Sequence, residues 1–153
     1  MSPKEVATRF YEAFQQRNGQ VMASYYCESA SFSDPVFAQL DSREVKAMWR
    51  MLCERTPELK VEFRVESVKG NDVRVQWEAR YPFSQTGKQV RNIVHSELRI
   101  EEGKIVRHRD QFSFWRWSAQ ALGAPGILLG WSPILRRQVA RKAKQSLNRF
   151  LSR

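Results

Sequence analysis

The 153-residue chain is poor in the residues that most metal and disulfide proteins require, with only two cysteines and two histidines. Cys27 and Cys53 are too few for a disulfide scaffold, and their spacing fits no zinc motif. No glycine-rich phosphate loop, GxSxG elbow or HExxH motif is present. Residues 1–25 lack the basic-then-apolar order of a secretory signal, so we expect a reducing, cytoplasmic location. These absences exclude knottins, zinc fingers and multi-span membrane proteins.

Acidic residues are absent from residues 111–153, which contain eight basic residues. Because the whole chain has a formal net charge of +10, residues 1–110 are nearly balanced, with 18 basic and 16 acidic side chains. The basicity therefore belongs to the C-terminal tail. Such a tail either favours an anionic partner, phospholipid or RNA, or is a solvated helix face.

Hydrophobic periodicity changes once along the chain, at about Pro57. Before it, capping residues and helical spacing predict three helices, near residues 3–18, 20–27 and 42–55. After it, apolar residues alternate with polar ones, and turn residues separate four predicted strands near residues 59–65, 73–81, 90–100 and 105–114. The sequence thus predicts an α+β fold, with one curved antiparallel sheet folded over three N-terminal helices.

The last forty residues differ in character from the rest. Residues 117–135 carry no charge, but glycine and proline interrupt them too often for a membrane-spanning helix. Ser132-Pro133 then begins a predicted helix with an apolar stripe and a basic remainder. Residues 131–153 could form an interfacial anchor on an anionic membrane, which would make the protein peripheral there. The alternative is a helix that packs its stripe on the domain or on a second subunit.

The last predicted strand holds the most informative polar residues. Alternation places Val106, His108, Asp110 and Phe112 on the apolar face, and Ile105 with Arg107 on the solvent face. His108 and Asp110 then lie side by side where a carboxylate is costly to bury. They are candidates for an acid–base dyad lining a pocket. A self-satisfied buried ion pair, or a bulge that turns Asp110 outward, remains an alternative.

Asp34 is the second candidate for acid–base chemistry. Asp-Pro is an ordinary turn opener. Here, however, it follows Phe32 and precedes Val36-Phe37, and such apolar surroundings would raise its proton affinity. His95, by contrast, falls on the outer face of its predicted strand. Cys27 and Cys53 are placed on helical segments, with no activating partner.

Three segments together resemble the nuclear transport factor 2-like superfamily, SnoaL-like branch. They are the helix at Thr8–Phe14, the Phe32–Val36 segment and the Gly103–His108 strand, and the likeness spans roughly residues 4–114 in order. The resemblance implies a cone-shaped α+β barrel with a deep apolar pocket, dimeric through its sheet. Ketosteroid isomerases, polyketide cyclases, epoxide hydrolases, dehydratases and non-catalytic binders belong to that superfamily.

The resemblance also suggests roles for individual residues. Asp34 matches the general base of the ketosteroid isomerases, but Phe10 and Ser96 stand where their oxyanion-hole tyrosine and aspartate would be. The resemblance therefore does not favour steroid isomerisation. Asp110 is the nearest counterpart of the acid–base aspartate of SnoaL-type cyclases. The carboxylate pair of the epoxide hydrolases has no clear match.

We therefore expect a SnoaL-like domain at residues 1–115 and a connector with a basic helix at residues 116–153. We expect the protein to bind an apolar small molecule, and it could also convert that molecule as an isomerase, cyclase or hydrolase that uses carboxylate acid–base chemistry. The alternative is a non-catalytic interaction module whose basic tail contacts a membrane or a protein. A homodimer is expected, and no cofactor, metal or nucleic acid. The expected catalytic residues are Asp34, His108 and Asp110. The expected binding residues are Phe10, Phe14, Tyr26, Phe32, Trp49, Trp77, Ser96 and Phe112.

Overall fold

Side-chain caps start the N-terminal helices where the sequence predicts them. The computed structural model describes residues 1–153. The first helix begins after Ser2, whose hydroxyl accepts a hydrogen bond from the Glu5 backbone N–H at 3.2 Å. Asp41 and Glu44 form a reciprocal capping box at the third. The three helices are α1 (Pro3–Gln15), α2 (Gly19–Ser24) and α3 (Ser42–Arg55).

Six strands form one sheet in the order β2-β1-β6-β5-β4-β3. They are β1 (Tyr26–Ser33), β2 (Leu40–Asp41), β3 (Lys60–Lys69), β4 (Asp72–Pro82), β5 (Gln89–Glu101) and β6 (Lys104–Gln111). All neighbouring pairs are antiparallel except β1 and β6, which are parallel. The predicted α+β class with one curved sheet is confirmed.

Strand β1 was not predicted, and the predicted helix 20–27 extends too far. The helix α2 ends at Ser24, and Cys27 lies in β1 and not on a helical segment. The strand is hard to recognise because its middle residues, Glu28 to Ala30, are small or polar and do not alternate cleanly. Its pairing partner β6 is also about eighty residues away in the chain.

The predicted solvent-facing orientation of Ile105 is wrong, because the pairing register shifts in β6. Ile100 pairs with Ile105, whereas Arg99 pairs with Arg107, so Val106 is an extra residue opposite the β5 backbone. Such a bulge reverses the alternation on one side. Ile105 is consequently fully buried, while His108 and Asp110 keep the predicted inward orientation.

Helices replace the end of the last predicted strand. Phe114 does not belong to β6 but begins a helix capped by the Ser113 hydroxyl. The C-terminal helices are α4 (Phe114–Leu122), α5 (Ala124–Leu129) and α6 (Pro133–Leu151). None of the helices is long and apolar enough to cross a membrane.

Helix α6 packs along α3 through one face. Leu147 and Phe150 are buried there. Two ion pairs join α6 and the chain terminus to α3, Lys144 with Glu44 and Arg153 with Glu54. Exposed ion pairs contribute little, so the apolar contacts hold the helix in place.

Leu147→Ala should therefore lower the free energy of unfolding by about 2–5 kcal/mol, because it leaves a cavity between α6 and α3. The matched control is Leu128→Ala, since Leu128 lies in the same tail and is 68% exposed. That variant should change stability by less than about 0.5 kcal/mol. Urea unfolding of both proteins measures the difference, and equal effects would contradict the packing of α6.

Candidate acid–base site

An apolar cavity of about 690 Å³ opens between α3, the sheet and the C-terminal helices. Its volume lies within the range typical of small-molecule sites. Aromatic and aliphatic side chains dominate the wall. Two carboxylates, Asp34 and Asp110, interrupt it, and the exposed Arg55 and Glu58 are the other charged residues of the lining. The walls also include Trp49 from α3, Trp77 from β4 and Phe112, which follows β6.

A tight turn fixes one oxygen of Asp34. Oδ1 accepts hydrogen bonds from the backbone N–H groups of Val36, at 2.7 Å, and Phe37, at 2.6 Å. Pro35 stiffens this turn and cannot compete as a donor. The second oxygen, Oδ2, makes no hydrogen bond within the protein, and it is not a fully buried atom. Asp34 therefore offers the cavity one carboxylate oxygen without a partner.

Burial raises the pKa of the Asp34 carboxyl from 3.8 to about 6. The backbone donor at Phe37 opposes this effect, while the negative charge of Asp110 adds to it. A carboxyl group with a pKa near 6 exchanges a proton readily close to neutral pH. Asp34 thus has the proton affinity expected of a general base or acid.

Asp110 is held by a chain of buried hydrogen bonds that begins at Trp49. The Trp49 indole N–H donates to the Tyr26 hydroxyl at 2.8 Å. That hydroxyl lies 2.7 Å from His108 Nδ1, and His108 Nε2 lies 2.7 Å from Asp110 Oδ1. His108 is fully buried, and its ring lies nearly parallel to the rings of Tyr26 and Trp49, with 6.1 Å between the ring centroids in each pair.

A second chain reaches the same carboxylate oxygen. The Trp77 indole N–H donates to the Ser96 hydroxyl at 2.7 Å, and Ser96 donates to Asp110 Oδ1 at 2.5 Å. Asp110 Oδ1 therefore accepts two hydrogen bonds, one from His108 on its own strand β6 and one from Ser96 on the neighbouring strand β5. Asp110 Oδ2 accepts none, yet it is not a fully buried atom, so it keeps access to the cavity.

The two indoles determine the direction of every proton in these chains, because an indole can only donate. Tyr26 accepts from Trp49, and His108 Nδ1 is the only acceptor within reach of its own hydrogen, so Tyr26 donates to His108 Nδ1. His108 then carries its hydrogen on Nε2 and donates it to Asp110. Burial raises the pKa of Tyr26 well above its usual value, which keeps the phenol protonated. Every donor in the two chains then has an acceptor, and both nitrogens of the His108 ring have a partner.

Tyr11 has the only buried side-chain polar atom that makes no hydrogen bond. Its ring stacks on Phe63 and lies 6.2 Å from the Trp77 ring. Burial raises the pKa of Tyr11 well above its usual value, and the charge of Asp110 contributes to that increase. The Tyr11 hydroxyl thus stays protonated, with Ser96 and Trp77 of the Asp110 network beside it.

The structure brings five of the eleven expected site residues to the cavity wall: Asp34, Trp49, Trp77, Asp110 and Phe112. The other six do not line it: Phe10, Phe14, Tyr26, Phe32, Ser96 and His108. They lie beneath the wall because α1 packs tightly on the sheet at this end, where Phe10 contacts the edges of the Tyr26, Trp49 and His108 rings. Tyr26, Ser96 and His108 still act on the site, since they hold Asp110.

Sequence reasoning missed the outer wall of the cavity. Met48 and Leu52 on α3 line it, together with Trp117 and Ser146 in the tail. Tyr81, at the end of β4, accepts a hydrogen bond from the Trp117 indole at 2.9 Å. The tail residues carried no signal in the sequence, because only the packing of α4 and α6 places them here. No cluster of three or more His, Cys, Asp or Glu is arranged to hold a metal ion.

Residues 7–108 match the SnoaL-like domain family. The chain belongs to this family. Asp110 lies just beyond the matched segment, and Asp34 lies within it. No protein with a curated description matches the sequence.

Solved structures share the fold at low sequence identity. A hypothetical protein from Catenulispora acidiphila with a ketosteroid isomerase-like fold is 17% identical and has a TM-score of 0.67, covering 84% of this chain and 98% of its own. IdmH, a proposed polyketide cyclase from Streptomyces antibioticus, is 18% identical with a TM-score of 0.67, covering 81% and 100%. An epoxide hydrolase of Mycobacterium tuberculosis is 14% identical with a TM-score of 0.60, covering 82% and 91%. At these identities the likeness establishes the nuclear transport factor 2-like fold alone.

Tyr26→Phe tests the hydrogen-bond chain. The change leaves the Trp49 N–H and His108 Nδ1 without partners in a buried site, so stability should fall by about 1–3 kcal/mol. Tyr25→Phe is the matched control, because the neighbouring Tyr25 hydroxyl makes no hydrogen bond in the protein and is only partly buried. Thermal unfolding of both variants gives the comparison, and an unchanged Tyr26→Phe protein would contradict the chain.

Asp34→Asn tests the raised proton affinity of Asp34. A folded-state pKa of about 6, above the usual 3.8, contributes stability below about pH 4 that is lost as the pH rises to about 6. Asparagine keeps the oxygen that accepts from Val36 and Phe37 but does not titrate. Between pH 4 and pH 7, the free energy of unfolding of the wild-type protein should fall by on the order of 1–3 kcal/mol relative to that of the variant. Urea unfolding across this pH range measures the difference. If the stabilities of the two proteins changed in parallel with pH, the raised proton affinity of Asp34 would be contradicted.

Proposed function

We propose that this protein is an enzyme that binds an apolar small molecule with a polar group and transfers a proton through Asp34. One observation carries the proposal: two carboxylates each present a single unpartnered oxygen to the same apolar cavity, and one of them has a pKa near 6. A cavity that merely binds apolar ligands does not require buried carboxylates, which are costly.

Asp34 is assigned the role of the group that exchanges a proton. Above about pH 6 it is ionised and can remove a proton from a carbon next to a carbonyl, or from a water molecule. The resulting carboxylic acid can return the proton to another atom of the bound molecule. Apolar walls exclude water and strengthen this interaction.

Asp110 is assigned the role of a fixed acceptor for a hydroxyl group or water. His108 and Ser96 hold its Oδ1, which aims Oδ2 at the ligand. His108 does not reach the cavity and is therefore a positioning residue. The Asn92 side chain lines the cavity without a hydrogen bond in the protein, so its amide N–H is the candidate donor to a carbonyl oxygen that gains negative charge.

The proposal predicts a pH-dependent reaction on ketones or epoxides. A panel of aryl alkyl ketones, assayed by NMR for exchange of α-protons with deuterium, and styrene oxide, assayed for diol formation, test the two versions. The rate should rise with pH and level off above about pH 6, and Asp34→Asn should lower it at least 100-fold. Asp72→Asn is the control, because Asp72 is an exposed carboxylate outside the cavity.

A non-catalytic binder gives a different set of results. The fluorescent probe 8-anilinonaphthalene-1-sulfonate, an aromatic molecule with one anionic group, should then bind saturably with no turnover of any panel member. If Asp34→Asn and Asp110→Asn leave both probe affinity and every rate unchanged, the proposed site is wrong.

A further inference from the structure

The short helix α5 and the turn that follows it expose large apolar side chains to solvent. Trp131 is 75% exposed and Leu128 is 68% exposed. We call this group the apolar patch; it comprises Ile127, Leu128, Leu129, Trp131 and Ile134. Elsewhere, apart from Trp115 next to the patch, the large apolar side chains that are exposed occur singly, at Met1, Val21 and Val68. Contiguous exposed patches of this kind mark surfaces that contact a partner.

The apolar patch is held in place by specific packing. Gly126 lies so close to α4 that a Cβ atom there would fall 1.9 Å from the Ser118 carbonyl oxygen. The indole N–H of Trp115 donates to the Ile127 carbonyl at 3.1 Å, and that of Trp131 donates to the Leu128 carbonyl at 2.8 Å. The fold thus builds an ordered turn whose aliphatic side chains face outward, which costs hydration free energy unless something covers them.

Positive charge continues directly from the apolar patch. Arg137 and Arg141 follow Ile134 at three and seven residues, so they lie on the same face of α6. Both are exposed, and neither forms an ion pair. The opposite face of α6 is the one that packs on the domain through Leu147 and Phe150. With no acidic residue after Asp110, nothing in the tail neutralises this outward face.

We propose that the apolar patch, with Arg137 and Arg141, docks the protein on an anionic phospholipid bilayer. Aliphatic side chains and tryptophan gain most by entering the headgroup region, while arginines beside them pair with lipid phosphates and carboxylates. Single-stranded RNA would use stacked aromatic rings and would leave Ile127, Leu128 and Ile134 uncovered. Because no helix can span a membrane, the docking is peripheral.

Co-sedimentation of the full chain with vesicles tests this docking. Vesicles of phosphatidylcholine with 30% phosphatidylserine should bind the protein at 0.1 M salt, and pure phosphatidylcholine vesicles should bind it at least tenfold more weakly. Raising the salt to 0.5 M should weaken binding to the anionic vesicles. Failure to bind the anionic vesicles, or equal binding to both kinds, would overturn the proposal.

Two variants locate the surface. Leu128→Gln with Trp131→Gln removes apolar area, and Arg137→Glu with Arg141→Glu reverses charge; each pair should weaken binding at least tenfold. The control is Lys4→Glu with Lys69→Glu, on α1 and β3, which changes the net charge as much as the arginine pair does but lies away from the patch. It should leave the affinity for vesicles within about threefold of the wild-type value. All of these side chains are exposed, so circular dichroism should show unchanged folding. An equal loss in the lysine control would mean that net charge alone drives binding and would overturn the assigned surface.

Two further measurements exclude other occupants. If the solution mass halves in the Leu128→Gln, Trp131→Gln variant without vesicles, the patch is a contact between copies of this chain. If a 30-nucleotide RNA competes fully with the vesicles and the same variant binds RNA as tightly as the wild type, the basic face serves nucleic acid. Either result would overturn the membrane proposal and would leave the assignment of Asp34 and Asp110 unaffected.

Discussion

The hydrogen bond from His108 Nε2 to Asp110 Oδ1 is the contact on which the inner face of the sheet depends. It joins two residues of one strand, and chains of donors beginning at Trp49 and Trp77 converge on it. These donors satisfy the polar groups that are buried where α1 and α3 pack on four strands. Each of those groups would cost several kcal/mol if it had no hydrogen-bond partner. The same convergence leaves one carboxylate oxygen free at the cavity. Stability of the core and orientation of the candidate acid–base group therefore share one cause.

Asp34 reaches the same cavity by a different route, through local turn chemistry. Its fixed oxygen is held by backbone donors two and three residues ahead. Asp110, by contrast, is held by side chains of the sheet, His108 on its own strand and Ser96 on the neighbouring strand. The two carboxylates thus have different environments, which allows them different roles. Helix α6 connects this site to the tail, since its inner face contributes Ala143 and Ser146 to the wall and its outer face carries the basic residues.

Local signals predicted much of the fold. Ser2 and Asp41 mark helix starts, and the alternation in β4 and β5 is clear. Because residues also alternate along β6, the inward positions of His108 and Asp110 could likewise be inferred from the sequence. The parallel pairing of β1 with β6, which brings Tyr26 to His108, could not, because β1 lacks alternation and its partner is distant. The extra residue at Val106 and the tail residues of the cavity wall depend on tertiary packing, which no local pattern encodes.

The tautomer of His108 tests the account most directly. Nitrogen-15 NMR of the labelled protein at pH 7.5 should show a hydrogen on Nε2 of His108 and none on Nδ1, because Tyr26 donates to Nδ1. Only two histidines contribute signals, and His95→Gln assigns them. The signals should change in Tyr26→Phe. A hydrogen on Nδ1 in the wild-type protein would mean that Tyr26 does not donate there, and the absence of a hydrogen on Nε2 would contradict the fixed orientation of Asp110.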